Sequence, residues 1–267
     1  MASFPSDIEY AQSGAGTTLL FVPGSFGTGA GWKRVIDQLG PGYRVVTTSL
    51  PGYGATADHR PDGVGDMALY VEMLDAVLAR IDAPTHVVAH SFGCVAALAH
   101  AMQGRRRPLS LTLIEPNPFR ILNLAGERDH ADTFGVLMRD YLGDYDRGER
   151  EAARRIIDFY GGPGTFDAFP PKVRDYVVAT TPVNVRDWSC AAGFEPGWDG
   201  YRALDLPALV VRGGDSPGAM LRISELLTER LGNAQLATVD GGSHFLLASH
   251  PAQVAARIVA HIPAVAA

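Results

Sequence analysis

A chain of 267 residues, 46% hydrophobic and 19% charged, buries roughly three quarters of its unfolded surface on folding, which excludes wholesale disorder and removes any need for disulfides. Twenty-three Lys and Arg against 29 Asp and Glu give a formal net charge of -6, an argument against a nucleic-acid groove or an anionic membrane surface and for a small neutral partner. Cys94 and Cys190 stand alone, without C-x-x-C or Cys/His metal-site spacing, so a reducing compartment is the simplest expectation. The N-terminal stretch has neither the basic nor the apolar part of a secretory leader, and no apolar run reaches the ~18 residues of a membrane span. The expectation is a soluble, cytoplasmic protein.

In chain order, residues 8–12 read as a short antiparallel edge strand and 17–22 as the first long apolar strand. A helix is expected at 32–39, a strand at 44–50, a helix at 64–81, a strand at 85–89, a helix at 92–102 and a strand at 109–115. The strands are apolar at nearly every position, as in a parallel sheet covered on both faces by helices. From 116 to 205 the alternation lapses. Helical stretches at 133–142, 149–160 and 172–180 are broken by Gly161-Gly162-Pro163-Gly164 and Pro170-Pro171, and the segment is expected to be an inserted helical lid. Its aromatics, Phe134, Tyr141, Phe159, Tyr160, Phe169, Trp188, Phe194 and Trp198, are either a ceiling over a pocket or the lid's own packing. A strand at 208–212, a helix at 219–231, a strand at 235–240 and a helix at 252–261, opening after Pro251, complete the pattern. Residues 1–115 and 206–267 therefore form an α/β core and 116–205 the insertion.

The chemistry-bearing motif is Val87-Val88-Ala89-His90-Ser91-Phe92-Gly93, a buried strand, a tight turn and an apolar helix with a serine at the apex. Such a turn brings the residues two before and two after the serine close together, so both must be small, and Ala89 and Gly93 are. Ser91 then sits at a helix N-terminus, where the Phe92 N–H can stabilise an oxyanion. The plainer reading is a strand-to-helix turn with a capping serine.

With this motif the chain resembles the α/β-hydrolase superfamily, in its lid-bearing branch of small esterases, lactonases and C–C hydrolases, over nearly its whole length. The resemblance implies a loop after the first long strand that gives the second oxyanion donor. Here that loop is Val22-Pro23-Gly24-Ser25-Phe26-Gly27, making the Ser25 N–H the donor, with Pro23 where a histidine is usual. Leu50-Pro51-Gly52-Tyr53-Gly54 matches a scaffold turn of the family. A hydroxyl needs a base to become a nucleophile; the family's position for it falls on His244, in Asp240-Gly241-Gly242-Ser243-His244. His90 is expected to shape the elbow or pocket, His250 and His261 to be surface residues, and His86 and His90 to lack a third metal ligand.

The carboxylate that orients the histidine has two candidates. Asp215 lies one residue before the usual family position, which is Ser216. Glu115, closing an apolar strand, occupies the position used by zearalenone-type lactone hydrolases and several dehalogenases. Glu115 is favoured and Asp215 stays open. Gly24, Phe26, His90 and Trp188 are the expected pocket residues. The basic run Arg105 to Arg107 is explained by a helix C-terminus. The resemblance thus implies a serine hydrolase of a small hydrophobic or neutral ester or lactone, with no cofactor and no metal. C–C bond hydrolysis and a non-catalytic ligand receptor are the alternatives.

Overall fold

The structure is a computed structural model that describes residues 7–60 and 65–264; the expected helix start at Val64 and the N-terminal residues 1–6 lie outside it. The strands are β1 (Ala11–Gly14), β2 (Thr17–Val22), β3 (Tyr43–Thr47), β4 (Thr85–His90), β5 (Leu111–Ile114), β6 (Ala208–Gly213) and β7 (Ala234–Val239). They form one sheet in the order β1-β3-β2-β4-β5-β6-β7. β1 runs antiparallel to β3, and every other neighbouring pair is parallel. After β2 the chain crosses to β3 on one side and returns to β4 on the other, which opens a crevice at the carboxyl ends of β2 and β4.

The edge strand begins three residues later, and ends two residues later, than the sequence pattern suggests. Residues 8–10 are drawn instead to the loop after β3, where Thr48 Oγ1 donates to the Glu9 carbonyl (2.8 Å) and the Ala55 N–H to the Glu9 carboxylate (2.9 Å).

The helices are α1 (Lys33–Ile36), after a 3-10 turn at Gly29–Trp32, then α2 (Ala68–Ile81), α3 (Phe92–Gln103), α4 (Arg120–Ala125), α5 (Arg128–Asp146), α6 (Arg154–Gly161), α7 (Thr165–Ala168), α8 (Pro171–Gly193), α9 (Gly197–Arg202), α10 (Gly218–Arg230), α11 (Leu246–Ser249) and α12 (Pro251–His261). Strand side chains alternate between two apolar layers. Leu19, Phe21, Val88, Ile114 and Val211 pack with Trp32, Val254 and Ile258 on one face, whereas Leu20, Val22, Ala89, Leu113 and Val210 pack with α2, α3 and α10 on the other. Each large apolar side chain among them, fully buried, contributes about 1.5–3 kcal/mol by removal from water.

Six helices, α4 to α9, occupy the chain between β5 and β6. α8 is longer than the expected 172–180. It runs through Pro182 to Gly193, although proline removes one helical N–H. The hydroxyls of Thr180 and Thr181 turn back onto the Tyr176 (2.7 Å) and Val177 (2.9 Å) carbonyls just ahead of it. The extension carries Asn184, Asp187, Trp188 and Ala191, at i, i+3, i+4 and i+7, to one side of the helix.

Gly93 is required by the neighbouring strand. A Cβ there would lie 2.3 Å from the Pro23 carbonyl oxygen and 2.8 Å from that of Val22, so α3 starts against the end of β2 only because residue 93 has no side chain. Gly93→Ala is expected to lower the urea midpoint by the equivalent of about 1–3 kcal/mol with an unchanged m value, as read by equilibrium unfolding.

Candidate active site

Four loops at the carboxyl edge of the sheet converge. The β4 ladder ends at His90, and Ser91 turns the chain at φ 53°, ψ -126° before α3 begins, while its N–H still bonds the Ile114 carbonyl at 2.9 Å. One strand along, Glu115 does the same at φ 50°, with its N–H on the Val211 carbonyl at 2.7 Å. Left-handed backbone at non-glycine residues is strained and concentrates at functional sites. Among the described residues four non-glycines have it; Ser91, Glu115 and Phe26 are three of them, and Asp82, at the end of α2, is the fourth.

The turns bring the sequence candidates together. His244 Nε2 lies 2.8 Å from Ser91 Oγ and its Nδ1 3.0 Å from Glu115 Oε2. All three residues are buried, Glu115 at 1% exposure. The other carboxylate oxygen, Oε1, accepts the Gly213 N–H (2.6 Å) and the Ser216 hydroxyl (2.8 Å), so three donors fix the acid. Asp215 is not brought to His244. It is exposed, because its own N–H is tied to the Gly242 carbonyl (2.8 Å) and the chain turns Ser216 inward instead. The one-residue offset at this loop is therefore meaningful: Ser216 serves Glu115 as a donor.

His90 sits beneath this row. Its Nε2 contacts the His244 carbonyl oxygen at 2.9 Å, and the two rings lie 5.0 Å apart. Burial, and then the neighbouring His244, push its imidazole down to about 3, so it is a neutral N–H donor to the loop that carries His244. Tyr160 stacks on His244, centroids 4.0 Å apart and planes 19° apart.

The adjoining cavity is narrow, about 50 Å³, and is lined by Ser25, Phe26, His90, Ser91, Phe92, Asn117, Ile156, Ile157, Tyr160, Asn184, Asp187, Trp188, Ala191, His244 and Phe245. Phe26, His90 and Trp188 line it. Gly24 does not; it is packed behind the wall, where a Cβ would come within 2.7 Å of Ser91 Cβ, and its role is close approach of the two loops. Of the aromatics between β5 and β6, Tyr160 and Trp188 face the cavity. Phe134 packs behind Trp188, and Phe194 and Trp198 pack on Tyr201.

Several cavity residues escape sequence reasoning. Asp187, at 1% exposure, accepts hydrogen bonds from the Ser25 hydroxyl (2.6 Å) and the Tyr53 hydroxyl (2.7 Å) on Oδ2, and from the Tyr70 hydroxyl (2.6 Å) and Arg60 Nη1 (2.6 Å) on Oδ1. Burial raises its carboxyl above the usual range, against the opposing pull of Arg60 and the hydroxyls. Burial also pushes the Tyr53 and Tyr70 phenols well up, with the Asp187 charge adding to it, so both stay protonated donors. Asn117 Nδ2 donates to the Tyr160 hydroxyl at 3.2 Å, while its Oδ1 is buried without a partner among the described residues. For Asp187 the one available signal is a polar residue on a helix face otherwise marked by Trp188 and Ala191; its partners are over a hundred positions away and leave no local trace.

Elsewhere, His86 bonds the Ser110 hydroxyl (2.7 Å), and His250 and His261 are half-buried rather than surface residues and do not line the cavity. Both cysteines are buried, and neither forms a disulfide among the described residues. Among the described residues no three His, Cys, Asp or Glu side chains are grouped to hold a metal ion, and no helix is long and apolar enough to cross a membrane. The Arg105 and Arg106 N–H groups, just past α3, are held by the Asp75 carboxylate.

A sequence model of the alpha/beta hydrolase family matches residues 19–257. The pimeloyl-[acyl-carrier protein] methyl ester esterase of Neisseria meningitidis serogroup B is 24% identical over 239 residues, covering 85% of this chain and 88% of that protein. Among solved structures, MenH from S. aureus superposes with a TM-score of 0.74 at 16% identity, covering 96% of this chain and 98% of that one. A bromoperoxidase from Bacillus anthracis gives 0.72 at 18%, covering 96% and 95%. These two likenesses show the fold.

Because His90 is neutral when folded but has an ordinary value near 6.5 when unfolded, the unfolded chain binds a proton that the native protein refuses. Stability should therefore fall as pH drops from about 6.5 towards about 3, by at most about 1.4 kcal/mol per pH unit from this residue. His86, His100 and His261, all lowered first by burial, add to the same trend. His90→Gln, which keeps a side-chain donor, is expected to flatten the slope measurably in urea titrations at pH 7 and pH 5.

Proposed function

We propose, from the premise that this chain belongs to the alpha/beta hydrolase family, that it is a serine hydrolase cleaving a small ester or lactone through an acyl-enzyme. The observation that carries the reading is the unbroken contact from Ser91 through His244 to Glu115. His244 Nε2 takes the Ser91 proton as Oγ attacks the carbonyl carbon. Glu115 holds the Nδ1–H tautomer and stabilises the imidazolium. The backbone N–H groups of Ser25 and Phe92, on the two loops flanking the crevice, donate to the oxyanion. Collapse returns the proton to the departing alcohol oxygen and leaves an ester on Ser91. Water, deprotonated by His244, hydrolyses that ester and restores the serine.

The cavity suggests the substrate. Ile156, Ile157, Trp188 and Ala191 suit a small apolar acyl or ring portion. The esterase named among the relatives is compatible with this class. A ligand-receptor role has no need of a base held within hydrogen-bond distance of the serine, so the hydrolase reading is preferred.

Intact mass after fluorophosphonate exposure tests the nucleophile. One adduct is expected on the wild type and none on Ser91→Ala, and an unlabelled, folded wild type would sink the reading. With a p-nitrophenyl ester as probe, Glu115→Gln is expected to lose about 10³ to 10⁴ in kcat, while Asp215→Asn stays near wild type.

A further inference from the structure

The loop that would supply the second oxyanion donor is packed through Gly24 against Ser91 and through Phe26 on Tyr53, but has few hydrogen bonds of its own. Pro23 has no N–H, Gly24 and Gly27 have no side chains, and Phe26 is in the left-handed region at φ 60°. Its internal backbone bond is Gly27 N–H to the Gly24 carbonyl at 3.0 Å. The Ser25 hydroxyl, however, donates to Asp187 Oδ2 at 2.6 Å, and Asp187 belongs to α8, 162 residues later in the chain. This carboxylate is itself immobilised by Tyr53 and Arg60, from the chain after β3, and by Tyr70 of α2. Arg60 is in turn paired with Asp58 (2.8 Å). Asp58 is also reached by Arg186 Nη1 at 3.2 Å, so two guanidinium groups balance the two carboxylates and Asp187 stands beside a developing oxyanion without a net negative charge.

We propose that Asp187 is a positioning residue for the oxyanion loop: it fixes Ser25 through its hydroxyl and thereby aims the Ser25 N–H at the carbonyl oxygen of the substrate. This rests on the hydrolase reading above. The oxyanion donor pair is then completed by a residue of the helical segment between β5 and β6, so the reaction depends on α8 being seated against the β2 loop. The Ser25 hydroxyl takes no part in the chemistry; its work is to carry the position of Asp187 to its own backbone.

Two variants separate this role from simple structural support. Ser25→Ala keeps the backbone N–H and leaves Asp187 its three other donors. Asp187→Asn keeps one acceptor oxygen and the size of the side chain. Both are expected to slow the second-order rate of fluorophosphonate labelling, and the kcat of p-nitrophenyl acetate hydrolysis, by about 10- to 100-fold. KM should change less than about threefold, because ground-state contacts are untouched. The double variant should be no slower than Asp187→Asn, since both changes cut the same hydrogen bond. If Asp187→Asn fails to fold, Ser25→Ala alone decides. Labelling of folded Ser25→Ala at the wild-type rate would overturn the proposal, as would multiplicative losses in the double variant. An unlabelled wild type would instead overturn the hydrolase reading, and the two failures are thus distinct.

Discussion

At the carboxyl edge of this sheet everything is arranged around one buried carboxylate. Glu115 is removed from water almost completely, and an uncompensated charge there would be strongly destabilising. It is compensated by His244 Nδ1, the Gly213 N–H and the Ser216 hydroxyl, which come from the end of β6 and the loops after β6 and β7. The loops cannot satisfy Glu115 without also fixing each other, and the Asp215 N–H on the Gly242 carbonyl closes that link. Gly213 makes the approach feasible, since a Cβ there would fall 2.2 Å from the Gly242 oxygen. Satisfying the acid therefore places the imidazole, and the imidazole then reaches Ser91 at hydrogen-bond distance.

Strained backbone at Ser91 and Glu115, of order 1–3 kcal/mol each, is held in place by the sheet. Each residue keeps its N–H on the neighbouring strand's carbonyl, as if the ladder continued, and turns only after that bond. The strand thus supplies the anchor and the left-handed φ swings the side chain out over the edge. The apolar layers on both faces of the sheet hold the strand ends rigid. At this edge the strain is confined to the residues whose side chains are directed at the crevice, or, for Phe26, to the loop beside it.

The features legible in the sequence are those that are local. Unbroken apolar runs mark the strands, because a sheet covered on both faces leaves no position for a solvated side chain, and the strand-turn-helix pattern around Ser91 carries its own steric signature. His244 is readable from its place between the last strand and the last helix. The acid is not fully readable, because Glu115 and Asp215 differ in which way a loop turns, and that is set by the Asp215 to Gly242 bond rather than by either residue's neighbours. Arg60, Tyr53, Tyr70 and Asp187 are invisible as a group. Each looks ordinary in its own segment, and only the packing of α8 over the β2 loop makes them one network.

α8 shows why the fold and the substrate are separable questions. The sheet and its loops position the serine, the imidazole and the acid, and proteins as different in name as MenH from S. aureus and a bromoperoxidase from Bacillus anthracis share the fold. The walls of the cavity away from Ser91 come largely from α6 and α8, through Ile156, Ile157 and Tyr160 and through Asn184, Asp187, Trp188 and Ala191. Had α8 stopped at Pro182, the face bearing those four α8 residues would not exist, and Asp187 would not reach Ser25. On the reading proposed here, the core determines that an acyl group is transferred, while the length and register of one helix determine both which acyl group fits and whether the oxyanion loop is held ready for it.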